Sequence, residues 1–288
     1  MNELKLAAPA KLNLTLDILR RREDGYHDLK MVMTSVDLCD YLTVRLRDDG
    51  KILVRVPGTD LPEGEDNLAG KAARTFFDET GQTPGAEITI EKHIPSQAGM
   101  AGGSSDAAAV LRALRELLRP DLTDRDLEVM GERVGSDVPY CVRGGTALAE
   151  GRGERLTNWP VMPPCRIVVC KPEFGLSTPE LFGRVQAGKL RFHPDHDAMY
   201  AALLSGELSA VAAQMVNVFE EVLTPREADT VRDIKMRLRR SGAENALMTG
   251  SGPAVFGLFQ NPEGARRAFE ELRPLYCRTF LTRPLTGV

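Results

Sequence analysis

Three stretches of this 288-residue chain hold residue types whose spacing can do chemistry. The first is Gly99-Met100-Ala101-Gly102-Gly103-Ser104-Ser105, directly ahead of an apolar-periodic run. Glycines let backbone N–H groups approach a ligand with no Cβ in the way. A helix starting there adds unpaired N–H donors and a partial positive charge, which suits a polyphosphate. A plain glycine-rich helix cap fits the same letters. Asp106, in the first helical turn, is expected to point away from a bound anion. There is no GxxxxGK[ST] loop, no GxGxxG after a strand, and no protein-kinase HRD or DFG set.

The second stretch runs from Pro9 to Leu29, "PAKLNLTLDILRRREDGYHDL". Alternation puts Lys11 and Asn13 on one face of a strand, and an Asp24-Gly25 turn brings Tyr26 and His27 back toward it. A lysine, an aromatic ring and a histidine beside one strand can line a pocket. A solvated lysine, a turn tyrosine and a surface histidine are equally compatible with the pattern. The third stretch is "MTGSGPAVFGLF", Met248 to Phe259, where Gly250 and Gly252 mark a tight turn or a close backbone approach before a strand.

The elements that must position these residues follow from periodicity. Leu12, Leu14, Leu16 and Ile18 alternate with polar residues, which predicts a half-buried strand over 12–18. Strands are expected at 31–36, 41–56 (broken at Asp48-Asp49-Gly50) and 87–93, and a helix at 67–79. The run with Val110, Leu111, Leu114, Leu117 and Leu118 is helical, with Ser104 or Ser105 as N-cap and Pro120 as its stop. A short helix follows at 124–134, then a strand, a glycine turn and a strand in "GGTALAEGRGERL". The proline-rich joint Pro160 to Pro164 marks a domain boundary, so the expected division is 1–158 and 159–288. Past it, a strand at 165–170 is followed by helices at 178–186, 197–204, 208–216, 227–240 and 262–272, with strands at 254–259 and 277–283. Mixed strands and helices in two halves predict an α+β fold.

Composition excludes several classes. A hydrophobic content of 42% can fill a core, and 27% charged residues keep the chain soluble. The net charge of −4 argues against a nucleic-acid partner, which usually demands a basic surface. No apolar run reaches the roughly 18 residues of a membrane span, and the first residues lack a signal-peptide core. The five cysteines are scattered, with no CxxC, so a reduced cytoplasmic setting is expected, with no disulfide framework and no zinc site.

Taken in order, the lysine strand, a PxxxGMAGGSSDAA loop and a late TGSGPAVF loop resemble the GHMP kinase superfamily of small-molecule kinases. DGYHDL after the lysine strand, and GSDVPY after the glycine loop, resemble the branch that phosphorylates a cytidine diphosphate-linked methylerythritol in non-mevalonate isoprenoid precursor biosynthesis. The resemblance covers essentially the whole chain. It implies a two-domain GHMP kinase fold, with a ribosomal protein S5 domain 2-like N-terminal domain, a ferredoxin-like C-terminal domain and the active site between them. It implies ATP and Mg2+ as cofactors, with no metal ligand assigned, and phosphoryl transfer to the C2 hydroxyl of the methylerythritol unit.

The resemblance also carries roles. Asp137 matches the catalytic aspartate and Lys11 the catalytic lysine. Pro95-Ser96-Gln97-Ala98-Gly99-Met100-Ala101-Gly102-Gly103-Ser104-Ser105 corresponds to the ATP phosphate loop, with Ser104 and Ser105 nearest the phosphates and Ala101 expected at negative φ. Lys92 and Asn67 match positions near the adenine. Tyr26 and Phe182 match a pair of rings that sandwich cytosine, His27 a residue reading its edge, and Asn13 and Thr178 further substrate contacts. Monomer and homodimer are both left open. Two competitors remain: another GHMP kinase of homoserine or mevalonate type, and a GHMP-like protein that binds nucleotide without catalysis. The nucleobase clamp argues against the first, and Lys11, Asp137 and Ser104 argue against the second.

Overall fold

The computed structural model describes residues 2–82 and 84–287. Its first sheet is built on two long antiparallel strands, β1 (Glu3–Arg21) and β2 (His27–Arg47). Asp24 accepts the Tyr26 backbone N–H, and Gly25 takes φ 85°, so the turn that joins them is the one the Asp-Gly pair predicts. β3 (Ile52–Arg55) and β4 (Gly85–Glu91) extend the sheet beyond the second half of β2. β5 (Thr146–Gly151) and β6 (Arg155–Asn158) flank its first half. Helices α1 (Leu68–Thr80), α2 (Gly102–Leu118), α3 (Asp124–Val134) and α4 (Val138–Arg143) belong to this half of the chain. Asn67 caps α1, and Thr123 with Asp126 forms a capping box on α3.

The second sheet is wholly antiparallel, in the order β11–β7–β10–β9, from β7 (Arg166–Lys171), β9 (Asn245–Met248), β10 (Val255–Phe259) and β11 (Arg278–Thr282). Helix α8 (Pro225–Arg240) lies between β7 and β9 in the chain, and α9 (Pro262–Leu272) between β10 and β11. That order is the split β-α-β ferredoxin-like motif. An insert between β7 and α8 carries α5 (Thr178–Arg184), α6 (His196–Ser205) and α7 (Leu208–Ala213). Two short strands return to the first sheet. β8 (Val216–Asn217) pairs in parallel with Thr15 and Leu16 of β1, and β12 (Pro284–Leu285) pairs with Val36 and Ser35 of β2. The fold is α+β, built on these two sheets.

Several expectations change. The strand at 12–18 is not half-buried: Asn13 and Thr15 are fully buried and Asp17 nearly so. The side chains that alternation assigns to water are engaged inside the fold: Asn13 with Lys11 and Met31, Thr15 with the Val32 backbone N–H, and Asp17 with His193. The strands expected at 31–36 and 41–47 are one continuous β2. α2 begins at Gly102, not at a serine cap. Its N-cap is Ala101, at φ 58°, so the expected negative φ is wrong. The left-handed residue turns the chain sharply from the loop into the helix, which a right-handed residue cannot do in one step.

Candidate active site

A cleft of about 1300 Å³ opens between the two halves, and all three sequence stretches meet in it. Its floor is β1. The Lys11 backbone N–H donates to Met100 O, which ties the lysine strand to the glycine loop. The late loop comes in from the other side. A Cβ on Gly99 would sit 2.2 Å from Thr249 O, and one on Gly250 would sit 2.6 Å from Gly99 O. Both glycines have positive φ, so the two loops touch backbone to backbone. Thr249 secures the junction: its Oγ1 accepts the Asn13 backbone N–H at 3.0 Å. Asn217 donates its amide to Met248 O and Gly250 O, fixing the late loop from β8.

Lys11 and Asp137 face each other with Nζ 4.0 Å from Oδ2; the lysine side chain is 5% exposed and the aspartate 32%. The ammonium also donates to Asn13 Oδ1 at 2.5 Å. Asn13 is fully buried, with its amide nitrogen on Met31 Sδ at 3.3 Å. That corrects the expectation of a substrate contact: its side chain is spent on aiming Lys11. Asp137 stands at the N-terminus of α4, a helix the sequence reading did not assign.

The glycine loop lines the cleft from Ile94 to Ser104. Ser105 does not join it. Its hydroxyl donates to Pro9 O at 2.7 Å and the residue is buried, so it clamps α2 to β1 and is unavailable to a phosphate. Asn67 lines the cleft, but its side chain caps α1 through Ala69 N and donates to Pro62 O. Lys92 is not free for an adenine either. Its ammonium lies between Asp40 and Asp106, 3.3 Å from where a Gly102 Cβ would be. Asp106 does not point away: it lines the cleft beneath the loop and bonds Lys92 at 2.7 Å. Burial works against the Lys92 charge, but the two carboxylates outweigh it and raise its pKa.

At the far end of the cleft, His27 stacks on Phe182 with ring centroids 5.0 Å apart and planes 18° from parallel. Phe219 meets Phe182 edge-on at 4.9 Å. Tyr26 and Phe182, the rings expected to sandwich a base, both line this end of the cleft. Tyr26 is 56% exposed, with the Arg152 guanidinium over its ring at 5.2 Å. Burial, with the Arg21 charge, lowers the His27 pKa and keeps it neutral. Thr178 Oγ1 is 2.7 Å from Ser251 Oγ, so the N-terminus of α5 rests on the late glycine loop. The sequence reading missed Asp40, Thr249, Ser251 and Arg152. Thr249 and Ser251 stood in the late stretch already singled out for its glycines; Asp40 and Arg152 stood in none of the three.

A nucleotide-sized cleft with a glycine loop at a helix N-terminus and a paired lysine and aspartate defines a small-molecule kinase. Family descriptions agree: residues 67–145 match "GHMP kinases N terminal domain" and residues 199–276 match "GHMP kinases C terminal". The chain belongs to the GHMP kinases. It is 42% identical to the 4-diphosphocytidyl-2-C-methyl-D-erythritol kinase of Brevibacillus brevis, over 98% of this chain and 96% of that one. The identity to the enzyme of the same name from Listeria innocua is also 42%, with the same coverage. A crystal structure of 4-(cytidine 5'-diphospho)-2C-methyl-D-erythritol kinase superposes with a TM-score of 0.82 at 35% identity, covering 98% of this chain and 99% of the other. A homoserine kinase from Cytophaga hutchinsonii shares the fold, with a TM-score of 0.77 at 19% identity over 100% of this chain and 96% of that one. The particular family is thus that of the 4-diphosphocytidyl-2-C-methyl-D-erythritol kinases.

Proposed function

We propose that the protein transfers the γ-phosphoryl group of ATP to the C2 hydroxyl of 4-diphosphocytidyl-2-C-methyl-D-erythritol, releasing ADP and the 2-phosphate in non-mevalonate isoprenoid precursor biosynthesis. The observation that carries this is one cleft holding the Lys11–Asp137 pair at its centre, the glycine loop on one side and the Tyr26, His27 and Phe182 rings on the other. Phosphoryl transfer needs little covalent help, so positioning and electrostatics dominate. Lys11, aimed by Asn13, offsets charge that builds on the transferring group and favours the ionised form of Asp137. Asp137 accepts the hydroxyl proton. The glycine loop and Ser104 hold the phosphates through N–H and O–H donors.

Among the described residues no group of three His, Cys, Asp or Glu side chains is placed to hold a metal ion. The carboxylates nearest the loop are already committed to Lys92, and Asp137 faces Lys11. A preformed magnesium cage does not fit this donor set. Any magnesium would be held mainly by the nucleotide phosphates, which suits an ion that keeps several waters and leans on substrate phosphates.

We keep 1–158 as the ATP-binding domain and 159–288 as the second, a division supported by the two family matches falling on either side of it. A cytoplasmic enzyme fits the five free cysteines. The test is ADP release with the cytidine substrate, homoserine, mevalonate and free methylerythritol in parallel. Turnover with the cytidine substrate alone is expected. Equal turnover with free methylerythritol, or preference for homoserine or mevalonate, would sink the proposal.

A further inference from the structure

Beneath the glycine loop lie two carboxyls and one ammonium, and the two carboxyls are not equivalent. Asp40 is complete: Oδ1 accepts the backbone N–H groups of His93 at 2.6 Å and Ile94 at 2.8 Å, and Oδ2 accepts from Lys92. Only an acceptor carboxylate fits those partners. Asp106 is incomplete. Its Oδ2 accepts from Lys92, while Oδ1 is buried with no partner. The residue is 3% exposed and lines the cleft at the loop that faces the nucleotide. An ionised oxygen left bare there costs full desolvation and repels a polyphosphate.

We propose that Asp106 binds nucleotide as a neutral acid, its Oδ1 carrying a proton that is donated to a phosphate oxygen. Asp40 and Lys92 then form the ion pair, and Asp106 is the odd carboxyl that protonates. Burial pushes the Asp106 carboxyl up to about 7, against the pull of Lys92 and with the push of Asp40. The groups around it come from every neighbouring element. β1 brings Lys11, β2 brings Asp40 and the end of β4 brings Lys92. Asp137 stands at the start of α4, and Arg112 lies on α2 itself. α4 brings the Cys141 thiol, which burial, together with Asp137 and Asp106, holds protonated. α1 meets this stretch through the apolar Leu68. An arriving phosphate adds negative charge, so it raises the affinity of Asp106 for its proton. Nucleotide binding and proton uptake are linked.

The inference rests on the glycine loop being the nucleotide seat, and it is tested by binding rather than turnover. ADP affinity is measured by calorimetry without divalent metal from pH 6 to 9, in buffers of different ionisation enthalpy. In the wild type, Kd should rise by up to about tenfold per pH unit above neutrality, with close to one more proton taken up than in Asp106→Asn. The amide of Asp106→Asn is a permanent donor, so its Kd should stay nearly flat and low at pH 8.5. Asp106→Ala, which has no donor, should bind weakly at all pH values. Equal proton uptake in wild type and Asp106→Asn overturns the proposal. So does an Asp106→Asn protein that binds ADP poorly without metal while keeping its native melting temperature. If added magnesium tightens ADP binding in the wild type but not in Asp106→Asn, Asp106 is a metal ligand and the proposal is likewise wrong. A wild type that binds no ADP at any pH rejects the nucleotide seat itself.

Discussion

His27 lies on Phe182, ring on ring at 5.0 Å, and Phe219 braces the same phenyl edge-on. A planar base entering this end of the cleft competes with the imidazole for that face. Phe182→Ala should therefore weaken the cytidine substrate and spare ATP. Stacking is worth about 1–3 kcal/mol per base, or roughly 5- to 150-fold in KM. Steady-state kinetics with each substrate varied in turn checks this. A Phe182→Ala enzyme whose ATP KM rises as much as its substrate KM would show that the ring supports the fold and does not meet the base.

The imidazole also sets an acid limit. Its pKa is lowered by burial and by Arg21, so His27 is neutral at pH 7 and gains charge only as the pH falls below its usual value of about 6.5. A charged imidazole has no acceptor nitrogen and cannot accept a hydrogen bond from the substrate. The substrate KM is expected to climb as the pH falls and the ring gains its charge, with the ATP KM flat over the same span. In His27→Gln that acid limb should vanish. Its persistence in the variant would assign the titration to another group.

Asp137→Asn should lower kcat by about 100- to 10,000-fold with ATP binding retained, the scale of a general base. Lys11→Arg should not rescue Lys11→Ala. The ammonium fits a compact place between Asn13 Oδ1 and Asp137 Oδ2, which a planar guanidinium cannot occupy. Near-wild-type turnover in either Asp137→Asn or Lys11→Arg would remove that residue's assigned role.

Ala101 holds φ 58° at the start of α2, a region that costs an L-residue roughly 1–2 kcal/mol. Ala101→Gly relieves that cost and gives back part of it through a freer unfolded chain. A net gain of about 0.5–1 kcal/mol, or roughly 2 °C in Tm, is expected. A fall in Tm on thermal denaturation would mean that the alanine methyl contributes more by packing than its backbone loses.

The loops with chemical potential were legible because their residue types are unusual together. A glycine run before an apolar period and a Thr-Gly-Ser-Gly turn each restrict the backbone wherever they occur. Lys11 and Asn13 were placed on one face by alternation alone. The roles of individual residues were less legible. Ser104 and Ser105 read as interchangeable caps, yet Ser105 turns inward to Pro9 because the helix starts three residues earlier than a serine cap requires. Asn13 read as a polar residue facing ligand, yet it is buried among partners from distant parts of the chain, Met31 for its amide and Thr249 for its backbone N–H. Asp40, Lys92 and Asp106 come from three elements, and no spacing in the chain announces their meeting. The contacts of Arg152 over Tyr26 and of His27 on Phe182 depend on side-chain conformation, which no spacing in the chain announces.

The return of β8 and β12 to the first sheet has a consequence for how the enzyme comes into being. A ribosome finishes the glycine loop, Lys11 and Asp137 by residue 137, well before residues 216–217 and 284–285 are made. At that stage β1 has β2 on one side of Thr15 and Leu16 and an open edge on the other, where Val216 and Asn217 will pair. β2 likewise lacks Pro284 and Leu285 beside Val36 and Ser35. The nascent amino-terminal half therefore carries open strand edges of the kind that invite pairing with another chain. The edge at Thr15 and Leu16 closes once Val216 and Asn217 have left the exit tunnel, and the edge at Val36 and Ser35 only once Pro284 and Leu285 have followed.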